Sequence, residues 1–188
     1  FKSSFPKLVE DVVPKVVSVG LLQRIMQMLL EEGVPVKDLR TIIEVVAEHV
    51  GKTPEAIDLL PLVRQALRRT IVQTALGDTR TARTLGIQPE FERLIEQAIG
   101  QAAVAPDGVI EPALMRLLVQ EVSVGVDELE NKNLPPVVVT QPRTRMTFAR
   151  IIKKIRPQAH VLSMTELPLD LELKFEKLLC AQTSAPAA

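Results

Sequence analysis

Few residues of this chain have the chemistry that catalysis or metal binding requires. Its 188 residues include two histidines and one cysteine, but neither tryptophan nor tyrosine. His49 and His160 lack the close His or Cys spacing of a metal site. Cys180 lies near the end of the sequence, whereas a nucleophilic thiol needs a base and an orienting group on a rigid element. We therefore predict no catalytic residue, no metal ion and no cofactor.

The glycines argue against a nucleotide site. Gly86, Gly100 and Gly108 are isolated, so neither G-x-G-x-x-G nor the phosphate-loop pattern occurs. The apolar run 137–139, which is typical of a buried strand, is followed by Thr140-Gln141-Pro142-Arg143. No glycine there would let the backbone approach a pyrophosphate.

The composition is that of a globular protein, with 46% hydrophobic and 24% charged residues. The length allows one domain or two small ones. Twenty-three basic residues balance 23 acidic ones, which argues against a general nucleic-acid binder, since such a protein needs a basic excess. One cysteine excludes a disulfide framework, and no apolar run approaches the roughly 20 residues that span a bilayer.

The charges are nevertheless unevenly distributed. Residues 133–165 contain no acid, whereas four acids precede them at Glu121, Asp127, Glu128 and Glu130. The bases from Arg143 onwards are Arg143, Arg145, Arg150, Lys153, Lys154 and Arg156. They form either a solvated helix face, partly paired with these acids, or a docking surface for an acidic partner or a neighbouring subunit. Anionic lipid headgroups are a further candidate partner. For docking we select Arg143, Arg145, Arg150, Lys153 and Lys154.

These residues are positioned by a fold that we predict to be mostly α with a small α/β part. Apolar spacing and capping residues predict four helices, over 18–32, 38–50, 53–76 and from Pro89 to about 99. The third is expected to bend at Pro61, and a short helical turn is predicted at 8–13. A short extended segment is predicted at 83–87. We assign residues 1–100 to a helical-bundle subdomain and 101–108 to a linker, because Pro106-Asp107-Gly108 is a turn signal. A boundary nearer Gly77, where the helical pattern breaks, is the alternative.

The last third of the sequence predicts a βαβ-containing subdomain over 109–178. A helix from Pro112 leads to strands at 137–139 and 160–164, separated by a helix over 144–156. Strand, helix and strand at this spacing form a crossover with parallel, neighbouring strands. Alternation over 169–176 predicts a third, edge strand, and residues 179–188 are expected to be a disordered tail.

Residues 18–50 permit a competing interpretation. A helix, a short turn and a second helix also make up a helix-turn-helix DNA reader. A recognition helix presents Arg, Asn or Gln to base edges, but this one has Lys37 and Arg40 followed by Glu44 and Glu48, whose charge phosphate would repel. A DNA-binding regulator is therefore the alternative function, and nucleic acid is not among the partners that we predict.

Five segments of the chain, in the same order, resemble motifs of the type III export-gate family, which comprises FlhA of the flagellum and the LcrD/InvA proteins of injectisomes. The resemblance covers about residues 7–170. The segments are Leu8-Val9-Glu10-Asp11-Val12-Val13-Pro14, the stretch from Gly20 to Glu44 with its Val36-Lys37-Asp38-Leu39, Val63-Arg64-Gln65-Ala66-Leu67-Arg68-Arg69, the stretch from Pro136 to Arg145, and Val161-Leu162-Ser163-Met164-Thr165-Glu166-Leu167-Pro168.

The resemblance implies a non-enzymatic scaffold on the cytoplasmic side of the bacterial inner membrane. Family members have an N-terminal membrane region and a cytoplasmic domain of four subdomains, which forms a nonameric ring below the secretion pore. This chain would be the third and fourth subdomains, without the membrane region and without the chaperone-docking cleft between the first two. The implied partners are further copies of the protein, other export components, chaperones and secreted proteins. The flagellar branch is favoured over the injectisome branch. Because the family pattern keeps charge there, we expect Lys37, Asp38 and Arg40 at a subunit contact.

Overall fold

The computed structural model describes Val13, residues 15–104 and residues 110–181, with no side-chain description for 102–104. Within these residues the chain forms seven α-helices and one four-stranded sheet, which confirms the predicted class of mostly α with a small α/β part. The chain divides into two compact units, Phe1–Gly77 and Asp78–Ala188. No helix of the described residues is long and apolar enough to cross a membrane.

The described residues of the first unit form four helices: α1 (Val19–Glu31), α2 (Leu39–His49), α3 (Ala56–Ala66) and α4 (Arg68–Leu76). As predicted, Ser18 caps α1 by accepting a hydrogen bond from the Leu21 amide at 3.2 Å. Helix α3 packs against both α1 and α2. The apolar side chains at the centre of this unit are fully buried, among them Ile25, Leu29, Ile42, Val46, Leu59 and Val63.

The segment 53–76 forms two helices rather than one bent helix. Pro61 lies inside α3 without ending it, and the break falls at Leu67, whose ψ of 7° departs from helical geometry. Leu67 is only 2% exposed, so the joint itself is part of the core. Pro61 is the sixth of the eleven residues of α3, and the amide that it lacks would bond the carbonyl of Ile57; both residues are exposed, so water can take the place of that donor.

The second unit is an α/β layer built on strands β1 (Thr81–Ile87), β2 (Val137–Thr140), β3 (His160–Ser163) and β4 (Glu172–Leu179). The sheet order is β3-β2-β1-β4, and every neighbouring pair is parallel. The predicted βαβ crossover is confirmed, since β2 and β3 pair through helix α7 (Pro142–Ile155). The predicted edge strand is also confirmed, although it extends to Leu179.

Helices α5 (Pro89–Val104) and α6 (Pro112–Asn131) join α7 in covering one face of the sheet. Side chains from all four strands meet side chains from the three helices in this core, which includes Leu85, Phe91, Val122, Val138, Phe148, Val161 and Leu179. A 3₁₀ turn (Met164–Glu166) follows β3.

The division between the units falls at Gly77 rather than in the predicted linker 101–108. The reason is that β1 lies between β2 and β4 in the sheet, and α5 packs against α7. Residues 78–104 therefore belong to the α/β unit. Residues 101–104 are the end of α5, while 105–108 of the predicted linker lie outside the described residues. So do the predicted helical turn at 8–12 and the tail from 182, whereas Leu179 is a buried strand residue.

Candidate docking surfaces

The turn between α1 and α2 and the first turn of α2 carry the three charged residues that we predict at a subunit contact, and Lys37, Asp38 and Arg40 are all exposed. Asp38 is also the N-cap of α2. Its Oδ1 accepts a hydrogen bond from the Thr41 amide at 3.2 Å, and its Oδ2 accepts one from the Thr41 hydroxyl at 2.7 Å. The charge at position 38 therefore has a local role too, because a carboxylate is favourable at a helix N-terminus.

Arg40 is paired within its own helix. Its Nε donates to Glu44 Oε1 at 2.8 Å, one turn further on. This hydrogen bond, together with the Glu44 charge, raises the pKa of Arg40 above its usual value. Glu44 and Glu48 are exposed on the same helix. Helix α2 thus presents acidic side chains and a paired arginine to solvent, and the DNA-reader interpretation gains no support from it.

Helix α7 carries an exposed basic surface, which we define as Arg143, Arg150, Lys153 and Lys154. Positions 143, 150 and 154 fall within about 40° of one another around the helix and extend along about 16 Å of it. Arg143 contacts Glu96 of α5 at 3.5 Å with 86% of its side chain exposed, and Lys153 donates to the Pro157 carbonyl at 2.8 Å. Within the described part of the chain, neither Arg150 nor Lys154 forms an ion pair.

The acidic residues that precede this segment do not neutralise the basic surface. Asp127 pairs with Arg156 at 2.7 Å, but Glu128 pairs with Lys177 at 2.6 Å, and Glu130 accepts from Gln158 at 3.0 Å. Glu121 is buried and accepts from the Cys180 amide at 3.4 Å. Of the four acids, Asp127 alone pairs with one of the six bases among the described residues, and that base lies outside the basic surface.

Arg145 is not part of the basic surface, although its sequence position suggested it. Its side chain is 3% exposed, and its Nε lies 3.6 Å from Glu166 Oε1, which is equally buried. The other carboxylate oxygen of Glu166 accepts the Ser163 amide at 3.1 Å. Arg145 therefore joins the first turn of α7 to the 3₁₀ turn after β3, and its guanidinium is not available to a partner.

The first turn of α7 is also held by helix α5. Glu92 is 8% exposed, and its Oε1 accepts the Gln141 amide at 2.7 Å and the Thr144 hydroxyl at 2.6 Å. Gln141, the N-cap residue, makes no side-chain cap of its own. Glu92 thus binds the N-cap amide and the Thr144 hydroxyl of α7 from a different helix. Sequence reasoning missed this contact because the two residues are 49 positions apart.

A buried ion pair fixes the end of α1 in the first unit. Arg64 of α3 has a side chain 2% exposed, and its Nη1 lies 2.6 Å from Oε2 of Glu32, the residue after α1. Both residues occur in the motifs quoted above, in separate segments. Their pairing joins α3 to the end of α1.

The described residues contain no group of three or more His, Cys, Asp or Glu side chains that could hold a metal ion. Cys180 is partly buried, and its Sγ lies 3.9 Å from Oε2 of Glu121. Among the described residues we therefore take the two surfaces above as the candidate sites for docking.

Comparison with known proteins supplies the context for these surfaces. The sequence model of the FHIPEP family matches residues 1–172. The flagellar biosynthesis protein FlhA of Salmonella typhimurium is 35% identical over 162 residues, and that of Proteus mirabilis is 31% identical over 179 residues. These alignments cover 86% and 95% of this chain, but only 23% and 25% of the relatives, so the chain spans about a quarter of their length.

Solved structures with the same fold cover nearly the whole chain. The C-terminal domain of InvA matches with a TM-score of 0.78 at 23% identity, over 94% of this chain and 54% of that one. The nonameric SctV-C of EPEC matches with a TM-score of 0.71 at 25% identity, over 93% of this chain and 52% of that one.

Proposed function

Because this chain belongs to the FHIPEP family, we propose that it is a non-enzymatic part of the cytoplasmic domain of a type III protein export gate. The observation that carries the proposal is the family match over residues 1–172, together with relatives that reach 35% identity. The helical unit would be the third subdomain and the α/β unit the fourth. A flagellar system is favoured over an injectisome, since the relatives compared above by sequence are flagellar proteins.

The function we propose is assembly and docking rather than catalysis. A relative of similar fold, the SctV-C protein, is nonameric, which supports a ring of copies for the protein to which this chain belongs. In that ring the chain would help to deliver export substrates to the secretion pore at the bacterial inner membrane. Its partners would be further copies, other export components, chaperones and secreted proteins.

A genetic experiment tests this proposal and separates its two branches. The segment that encodes these residues is deleted in the source bacterium, and swimming and effector secretion are assayed together. Loss of swimming alone supports the flagellar export gate. Loss of effector secretion alone would move the protein to an injectisome. If both processes survive in a strain that needs them, the export-gate proposal is wrong.

The α1–α2 turn is our proposed subunit contact, and its charges can be separated from its capping role. Asp38→Asn keeps an oxygen that caps α2 but loses the charge, whereas Asp38→Ala loses both and should cost about 1 kcal/mol of stability. We expect Asp38→Asn with Arg40→Gln to impair ring assembly and secretion in the complete protein while the melting temperature of the chain stays near that of the wild type.

The matched control for this pair is Lys52→Gln, an exposed charge in the turn after α2. It should leave both assembly and secretion intact. If the Asp38→Asn and Arg40→Gln double variant assembled normally, the α1–α2 turn would not be a subunit contact. Lys37→Gln then tests whether the third charge acts alone.

The basic surface on α7 is our proposed dock for an acidic segment of an export component. Four exposed cations lie on one helix, and the nearby acids pair elsewhere, as shown by Glu128 with Lys177. Arg145 is excluded from this surface because it is buried. Charge complementarity would supply the specificity, and binding should weaken as salt screens it.

A further inference from the structure

Two glutamates of α5, one helical turn apart, contact the same end of α7 in different ways. Glu92 is 8% exposed and accepts two short hydrogen bonds from Gln141 and Thr144. Glu96 is 45% exposed at its side chain and lies 3.5 Å from Arg143. The first contact is buried and charge-assisted, so it is strong. The second is an exposed ion pair, which contributes little and is easily replaced.

The local charges explain why α7 needs such contacts. Its first turn contains Arg143 and no acid, although cations are unfavourable at a helix N-terminus. Glu92 accepts the amide of the N-cap residue Gln141 and brings a negative charge to this end of the helix. Together with the Arg145–Glu166 pair, this buried carboxylate holds the first turn of α7, from which Arg143 projects.

Glu96 occupies the position where a partner carboxylate would bind. Its Oε1 sits beside Arg143 Nη1, and Arg143 is the end of the stripe that continues through Arg150 and Lys154. A negatively charged peptide segment that binds along this stripe has to compete with Glu96 for Arg143. Glu96 thus acts as an internal competitor of the acidic partner.

We infer that Glu92 is a positioning residue for the basic surface of α7 and that Glu96 restrains it by holding Arg143, so that removing the two charges has opposite effects on the binding of an acidic peptide. This inference rests on the docking function proposed above. The partner it implies is a protein segment rich in glutamate or aspartate that lies along α7 and replaces Glu96 at Arg143.

The test uses the whole chain and a fluorescein-labelled peptide of 20 glutamates, with fluorescence anisotropy at low salt. Glu96→Gln should tighten binding by about twofold to fivefold, as expected for loss of an exposed competing pair. Glu92→Gln should weaken binding, because a neutral amide holds the first turn of α7 less firmly, and unchanged binding would contradict the positioning role. The control is Glu90→Gln, whose exposed carboxylate pairs with Arg93 of its own helix at 3.3 Å.

The three variants each remove one negative charge, so a non-specific charge effect predicts that all three tighten binding equally. That result would overturn the inference, as would Glu96→Gln binding no better than the Glu90→Gln control. A second readout does not depend on the peptide: amide exchange of Gln141, followed by NMR, should be faster in Glu92→Gln and unchanged in Glu96→Gln. Unchanged exchange in Glu92→Gln would contradict the positioning role.

The same anisotropy titrations distinguish a wrong docking function from wrong roles for Glu92 and Glu96. If neither the wild type nor any variant binds the peptide at low salt, the proposed dock is wrong, and the restraint by Glu96 is wrong with it. If the proteins bind the peptide but their affinities do not rank as predicted, the docking function still holds and the roles of Glu92 and Glu96 are wrong.

Discussion

At the residue scale, two helix ends carry charges that are unfavourable in the field of their own helix dipole. Helix α1 ends at Glu31 and is followed by Glu32, and α7 begins with Pro142 and Arg143. Acids at a C-terminus and bases at an N-terminus are unfavourable. In both cases a residue from another helix compensates, Arg64 for α1 and Glu92 for α7. A charge of the wrong sign at a helix end was therefore the one sequence signal for these distant contacts.

Removal of the buried Arg64 should strongly destabilise the helical unit. Arg64→Ala removes the ion pair with Glu32 and creates a cavity among buried residues, so we expect a loss of about 3 kcal/mol in the free energy of unfolding. Urea denaturation followed by far-ultraviolet circular dichroism measures it, since the chain has no tryptophan or tyrosine to report by fluorescence.

Arg69→Ala is the matched control for Arg64→Ala, because Arg69 is the same residue type, exposed on α4. It should change the free energy of unfolding by less than about 0.5 kcal/mol. Equal effects of the two substitutions would show that the pair with Glu32 contributes nothing. Arg64→Lys should recover only part of the loss, because an ammonium lacks the guanidinium fork.

The two predicted surfaces differ in how far sequence could identify them. Exposure of Lys37, Asp38 and Arg40 followed from a local helix-start pattern. Arg145 could not be separated from Arg143 by sequence, because both are bases in one acid-free segment. What separates them is Glu166, 21 positions further on, which only the fold brings to Arg145.

At the scale of elements, Glu176 adds side-chain bonds to the backbone pairing that joins β4 to β1. Its carboxylate accepts hydrogen bonds from Arg83 of β1 at 2.7 Å and from Lys132 at the end of α6 at 2.9 Å. The bond from Arg83, followed by the one from Lys132, lowers the pKa of Glu176 from 4.5 to about 2. Because the folded pKa is the lower one, this attachment stabilises the fold fully above about pH 4.5 and is lost as the pH falls towards 2.

An NMR titration of the Glu176 side-chain carboxyl carbon checks this prediction. The midpoint should lie near 2 rather than near 4.5. Arg83→Gln should raise the pKa of Glu176 more than Lys132→Gln does, since the Arg83 bond is the larger cause. A midpoint near 4.5 in the wild type would contradict the pairing that the structure shows.

Two helical glycines should respond in opposite directions to alanine. A Cβ on Gly125 of α6 would lie 2.8 Å from Leu85 Cδ1 and 3.1 Å from Leu179 Cδ2, and both leucines are fully buried. Overpacking costs about 1–3 kcal/mol, more than the roughly 1 kcal/mol that alanine adds in helix propensity. Gly125→Ala should therefore destabilise the chain.

Gly20 of α1 is the control, because a Cβ there meets nothing within 4 Å. Gly20→Ala should stabilise by up to about 1 kcal/mol. Both free energies of unfolding come from the same urea experiment. If Gly125→Ala were as stabilising as Gly20→Ala, the α6–β1 contact would be looser than the structure indicates.

Elements were predictable where their signals are local. Ser18 and Asp38 marked the starts of α1 and α2, and the β-branched run marked β2 at Val137. The division between the units falls at the alternative boundary, Gly77, and not at 101–108. The reason is a distant pairing: Thr81 of β1 aligns with Glu172 of β4, 91 positions away. A turn signal at 106–108 is strong locally but carries no information about that pairing.

At the scale of the whole molecule, zero net charge hides a strong local separation of charge. The chain has 23 acids and 23 bases, so no overall field attracts an acidic partner. Attraction must come from a local surface, and it falls off within about 10 Å at 0.1 M salt. A partner of the basic surface therefore has to bind close to α7, and single neutralisations should have measurable effects.

Neutralising the basic surface should weaken the binding of an acidic peptide more than neutralising the same number of cations elsewhere. We expect Arg150→Gln with Lys154→Gln to reduce affinity for the 20-glutamate peptide by about tenfold and to flatten its salt dependence, because two cations that face solvent without an ion pair among the described residues are lost from one stripe. The control is Lys52→Gln with Arg69→Gln, which removes the same charge from exposed positions of the helical unit. Anisotropy titrations at several salt concentrations compare the two double variants. An equal loss of affinity in both double variants would mean that peptide affinity depends only on the total charge of the chain. The proposal that α7 is the docking surface would then be wrong.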